Sequence, residues 1–216
     1  MTSRSTILGR IRDALRHPSP QPQPPSSGQI FAEIPEAELV NRFEREVTAL
    51  KAGFFLASNE DAARAWIKQL VQDHAFKNLA AAPESVISRL LEGLPGVKTV
   101  NQDFCGKALA DVDLGVTGCD FLVAATGSVV LTAQKGFGRA LSVLPQAHLV
   151  IARRDQLVPL PWDAFHQLQV RHGTNWPSMI TFISGASRTA DIEKILVMGA
   201  HGPKELFVLI LDDATS

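Results

Sequence analysis

The chain has 216 residues, is 45% hydrophobic and carries a formal net charge of −1. That much apolar material can bury a full core, so disorder is excluded for the chain as a whole, and the near-neutral balance gives no electrostatic case for nucleic acid as the main partner. No apolar run approaches the roughly 20 residues of a membrane span, and Met1–Arg16 lacks the continuous apolar core of a secretory signal, so a soluble cytoplasmic protein is expected.

Residues 4–16 place Ile7, Leu8, Ile11 and Leu15 on one helical face, with Arg4, Arg10, Arg12 and Arg16 around it. This is a short basic amphipathic helix suited to docking. Five prolines between Pro18 and Pro25, followed by Ser26, Ser27 and Gly28, read as an extended spacer. The expected organisation is therefore an arm over 1–33 and one domain over 34–216.

The domain begins with helical spacing at Leu39, Phe43, Val47 and Leu50, stopped by Gly53. A buried strand at 54–57 follows. Asn59 or Ser58 caps a helix with Ala63, Trp66, Ile67, Leu70 and Val71 on its apolar face. Strands at 79–82 and 97–100 bracket a helix opened by Pro83 and Glu84. This alternation predicts an α/β fold with a mainly parallel sheet covered on both faces. Beyond Asp111 the chain turns β-rich. Phe121–Ala125 and Ser128–Thr132 flank a tight turn at Thr126-Gly127. Residues 134–139 form a loop with two glycines and two cations, and 148–152 is a strand. Residues 156–158 extend the sheet, 162–170 form a helix, and strands are expected at 179–183 and 206–211.

The stretch Ser184-Gly-Ala-Ser-Arg-Thr-Ala-Asp-Ile-Glu193 follows the strand at 179–183 and precedes a helical pattern at Ile192, Ile195 and Leu196, ended by Gly199. A strand opening into a helix start leaves backbone N–H groups free for an anion. In that reading Ser187 or Thr189 caps the helix and Arg188 clamps the ligand. The alternative is that both hydroxyls only cap and Arg188 only pairs with Asp191.

Three segments, 117–120, 126–139 and 184–193, concentrate short polar and charged groups. Ligands of open α/β sheets bind beyond the C-terminal ends of strands. If the segments meet there, Thr126, Gly127, Ser128, Arg139, Ser184, Gly185, Ser187, Arg188 and Thr189 make an anion site, with Asp120, Asp191, Glu193 and His201 as acid–base candidates. Duller roles stand beside these. Thr117 and Asp120 are spaced as a turn cap, His148 reads as a satisfied edge histidine, and Asp191 and Glu193 complement a helix dipole. Cys105 and Cys119 give no disulfide framework and no zinc or iron–sulfur spacing, and His166 and His172 fall on different helix faces, so no metal site is expected.

Gly115-Val-Thr-Gly-Cys-Asp120, Ala125-Thr-Gly-Ser128, Arg139…Leu144-Pro145…His148 and Ser184–Glu193…Gly199-Ala-His-Gly-Pro203 together resemble the LUD-domain family, over nearly the whole chain. The resemblance implies a three-layer α/β/α fold similar to the CoA-transferase/ribose-5-phosphate isomerase/formyltetrahydrofolate cyclo-ligase superfamily. It implies a part in oxidising L-lactate to pyruvate beside an iron–sulfur protein and a protein with cysteine-rich CCG domains. Iron–sulfur clusters are then expected on those partners, and no cofactor on this chain. Fold similarity does not transfer chemistry. Two roles stay open: an accessory component that binds a small anion, and a stand-alone acyl- or phosphoryl-transfer enzyme.

Overall fold

The computed structural model describes residues 3–16, 33–100, 109, 111–133, 140–189, 197–198 and 202–212. The proline tract, Cys105, the loop 134–139 and the helical pattern at Ile192, Ile195 and Leu196 lie outside them. The chain divides into two units, Met1–Ala32 and Glu33–Ser216. In the first, α1 (Ser3–Leu15) is the expected helix, followed by an Asp13–Arg16 ion pair at 3.5 Å. Among the described residues no helix is long and apolar enough to cross a membrane.

The second unit opens with α2 (Leu39–Ala49), which buries Leu39, Val40, Phe43 and Val47 as its spacing predicts. Gly53 does not end this helix. Lys51 takes the left-handed conformation at φ 61°, and Ala52 N–H closes on Val47 O at 3.2 Å. Gly53 instead starts β1 (Gly53–Ala57). A Cβ there would lie 2.5 Å from the Phe207 ring. Asn59 accepts the Ala62 N–H at 2.8 Å and caps α3 (Glu60–Asp73). Then come β2 (Leu79–Ala81), α4 (Ser85–Leu90) and β3 (Val97–Thr99).

Next is β4 (Leu114–Thr117), a strand not expected from the sequence. Gly115 is there for clearance: a Cβ would lie 2.4 Å from Leu141 O and 2.8 Å from the Pro145 ring. The remaining elements are β5 (Phe121–Val123), β6 (Ser128–Thr132), β7 (Ala147–Arg153), β8 (Leu157–Val158), α5 (Pro161–His172), β9 (Ile180–Ile183), β10 (Arg188–Thr189), β11 (Val197–Met198) and β12 (Glu205–Leu211).

Six strands form a sheet in the order β1-β12-β7-β4-β2-β3, every pair parallel. Its inner strands are mostly apolar because both faces are covered, whereas the edge strand β3 (Val97–Thr99) is largely exposed. On one face α3 and α4 pack Ala63, Ile67, Leu70, Ile87 and Leu90 against Leu149, Ile151 and Leu209. On the other, α2 shares the layer with a second sheet of order β8-β5-β6-β9, and α5 covers that sheet's outer side through Ala164 and Leu168. The α/β class with a mainly parallel central sheet is as expected. The addition is the second sheet, where helices alone would have completed three layers. Of residues 156–158, Leu157 and Val158 form β8 and extend this second sheet alongside β5, not the main one.

Residues 187–189 do not start a helix. Arg188 and Thr189 pair antiparallel with Met198 and Val197 as β10 and β11. Thr189 and Val197 are β-branched and suit a paired strand, and strand pairing takes precedence over the local capping pattern.

Gly115→Ala is expected to destabilise the protein by about 1–3 kcal/mol in urea unfolding, the usual cost of overpacking. A change below about 0.5 kcal/mol, within the range of an ordinary surface substitution, would contradict the close crossing of Leu141 over β4.

Candidate functional site

The antiparallel register of β6 on β9 sets Val129 opposite Ile183 and Thr132 opposite Ile180. Ser128 and Ser184 therefore meet just past the Val129–Ile183 pair, Oγ to Oγ at 2.7 Å. Thr126 Oγ1 joins them, 2.8 Å from Ser128 Oγ. Two positive-φ glycines allow this approach: Gly127 at φ 59° and Gly185 at φ 89°. Both turns rest on the last turn of α2, where a Cβ on Gly127 would lie 2.4 Å from Val47 N and one on Gly185 3.0 Å from Leu50 O.

Beyond Ser184 the chain runs against the turn that leads into β12. Ser187 N–H donates to Pro203 O at 3.0 Å, and a Cβ on Gly202 would sit 3.3 Å from the Ser187 Cβ. Between these segments and the loop before β7 lies a cavity of about 240 Å³. It is bordered by Ser142, Thr181, Ser184 and Ser187, by the apolar Val143, Ile183 and Leu206, and by His148.

His148 is fully buried on β7, between Leu206 of β12 and Gly115 of β4. It is neither at an edge nor satisfied. Nε2 shares a 2.8 Å hydrogen bond with Thr117 Oγ1, while Nδ1 has no partner. Burial disfavours the charged ring and pushes its pKa down to about 4.

Asp120 sits elsewhere. Its carboxylate, 2% exposed, accepts the Thr132 N–H at 2.7 Å and an Arg171 Nη1–H at 2.7 Å. The Arg171 guanidinium also lies 4.9 Å over the Phe121 ring. Thr132 is at the far end of β6 from Ser128, four residues or roughly 13 Å along a strand. The expected meeting of the loops around 120, 127 and 187 is thus corrected. The turns at 126–128 and 184–187 come together, and Asp120 is drawn into an ion pair at the opposite end of the hairpin. Thr117 forms no turn cap with Asp120 because its hydroxyl is engaged by His148.

The edge of the sheet is corrected too. The cavity borders the loops that enter β7 and β12, so it lies at the N-terminal ends of the parallel strands and not beyond their C-terminal ends. Arg139, Asp191, Glu193 and His201 lie outside the described residues, and for Arg188 and Thr189 only the strand is described. Sequence reasoning missed His148, Thr117 and Ser142 as site residues. The signal for the first was available: a histidine inside the apolar run Ala147–Ala152 is a buried polar group that needs a reason. Among the described residues no three His, Cys, Asp or Glu side chains group as a metal site would.

This fold and motif set define a class. The LUD domain family model matches residues 40–211, and the chain belongs to that family. Among individual proteins it is similar to lactate utilization protein C of Halalkalibacterium halodurans, 39% identical over 103 residues, which cover 47% of this chain and 45% of that protein. That match therefore spans under half of the relative's length. With lactate utilization protein C of Oceanobacillus iheyensis the likeness is 25% over 95% of this chain and 93% of the other. In fold it matches the crystal structure of a DUF162 family protein from Deinococcus radiodurans, with a TM-score of 0.66 and 22% identity, covering 83% of this chain and 99% of that one.

The buried histidine has a measurable consequence for the ligand-free protein. Above the ordinary value of 6.5 the ring is neutral folded and unfolded. Below it the unfolded chain binds a proton that the folded chain refuses until about pH 4. Stability is therefore lost as pH falls through this window, by about 3 kcal/mol from this group. Urea midpoints between pH 7 and 4 should fall more steeply for the native chain than for His148→Gln. Parallel profiles would contradict the burial of a neutral ring.

Proposed function

We propose that this chain is a component of a lactate-utilisation system and that it binds a small carboxylate in the cavity beside Ser184 and His148. The observation that carries the binding role is the cavity itself. It is bordered by hydroxyl-bearing residues, Ser184 foremost, by short apolar side chains, and by His148, whose Nδ1 has no partner. Hydroxyls recognise a carboxylate, and Val143, Ile183 and Leu206 suit a short alkyl group. Thr126 and Ser128 stand behind Ser184 and orient its hydroxyl. The lactate role is supported by family membership and by the names of relatives that align along nearly the full chain.

Oxidation of lactate needs an electron acceptor. The chain has 2 cysteines, short of the four thiolates that an iron–sulfur cluster takes. In this reading the electron-transfer centres belong to partner proteins, an iron–sulfur protein and a CCG-domain protein, and this chain holds the carboxylate for them.

Deletion of the gene from its host should abolish growth on L-lactate and spare growth on pyruvate. The tagged chain should recover its iron-containing partners from lactate-grown cells. Ser184→Val should weaken lactate binding about tenfold, the loss of one hydrogen bond to a charged group. Normal growth of the deletion strain on lactate would refute the role. Unaltered lactate affinity in the Ser184 variant would refute the site.

A further inference from the structure

A buried polar atom with no hydrogen-bond partner is uncommon in a folded protein and calls for an explanation. Nδ1 of His148 is such an atom, and His148 is among the residues that border the cavity. The ring is not free to turn away. Thr117 holds it through Nε2, and a threonine hydroxyl donates or accepts as required. The same geometry therefore serves the neutral ring, with Thr117 donating to Nε2, and the charged ring, with Nε2–H donating to Thr117.

No described side chain lining the cavity carries a charge. The elements packed on His148 supply none either. Gly115 and Leu206 flank it across β4 and β12. Glu205 turns to His74 on the other face, with the two 3.4 Å apart, and Lys204 is exposed to solvent. Arg139 and His201 lie outside the described residues, as does the side chain of Arg188. An anion entering this cavity loses water and finds no described countercharge, which is costly. Its field favours protonation of the one described ionisable group at hand.

We infer that the cavity takes a small monocarboxylate together with one proton, which His148 holds on its ring while Nδ1–H donates to the carboxylate. The proton comes from solvent, and no covalent bond is made or broken. One ring neutralises one charge, so a monoanion fits and a phosphate dianion leaves a charge uncompensated. The empty cavity keeps the ring neutral by burial, and the anion raises its proton affinity. Carboxylate affinity should therefore increase as pH falls. This inference rests on the reading that the cavity is the binding site.

The test is titration calorimetry on the full chain with L-lactate, pyruvate, acetate and inorganic phosphate, at about pH 6 in two buffers of different ionisation enthalpy. The expected result is uptake of about one proton per carboxylate bound, with affinity rising by up to tenfold per pH unit of acidification between about pH 7 and 5. Phosphate, compared at about pH 8 where it is mainly the dianion, should bind at least tenfold more weakly than lactate. His148→Gln should remove the proton uptake, and His166→Gln, on the exposed side of α5, should keep it. Imidazole nitrogen NMR of the native chain gives the same answer without a variant: His148 should change from neutral to doubly protonated on adding lactate. Carboxylate binding without proton uptake, uptake that survives in His148→Gln, or a ring that stays neutral overturns the inference and leaves the cavity as the binding site. Phosphate binding as tightly as lactate overturns the ligand class. Absence of binding by every carboxylate overturns the inference and the site together.

Discussion

The pairing of β6 with β9 is the constraint on which the site depends. Its register, Val129 opposite Ile183, puts Ser128 and Ser184 within hydrogen-bond distance although they are 56 residues apart. Slipping the strands by one residue would exchange the faces of every side chain on β9, turning Thr181 and Ile183 away from the cavity they line. The register is held at its end by the two glycine turns. Gly127 presses on the last turn of α2 at a distance where no side chain fits, and Gly185 lies nearly as close to Leu50 in a backbone conformation that L side chains rarely adopt. Helix, hairpin and third strand are thus fixed relative to one another before any ligand chemistry enters.

Two buried polar groups in this framework behave differently, and the contrast sorts structure from function. Asp120 is closed. It receives a backbone N–H from Thr132 and a guanidinium from Arg171, and so ties the open end of the β5–β6 hairpin to α5. His148 is open, with one nitrogen engaged and one not. Burying a charged group is tolerable when partners complete it. Leaving a nitrogen bare in the middle of a parallel sheet makes sense when a ligand completes it.

Much of the fold was legible from local pattern. The alternation of strands and helices over 39–100 and the turn at Thr126-Gly127 follow from periodicity and capping alone. The failures have a common cause. β4 lies in a stretch that stands out for its glycines and short polar groups and was not expected as a strand, yet Gly115 is required by Leu141 crossing 26 positions later in the chain. The Ser187–Thr189 stretch carries helix-start chemistry, yet it pairs with Val197 and Met198. In each case a partner distant in sequence decided the outcome, and single-chain patterns do not report distant partners. The candidate site was legible in part for the same reason. Thr126, Ser128, Ser184 and Ser187 stood out as short polar residues at turns. His148 was set aside as a satisfied edge histidine at the start of a strand, although its place inside an apolar run is what made it informative.

The location of the site at the N-terminal ends of the parallel strands is the claim that most separates this account from the usual behaviour of α/β sheets. Mapping amide and methyl chemical shifts of the full chain on addition of L-lactate tests it directly. The account predicts changes concentrated at His148, Ile183, Ser184, Ser187, Gly202 and Leu206. Changes concentrated instead at the opposite edge, around Gly118, Arg153 and Asp212, would contradict it.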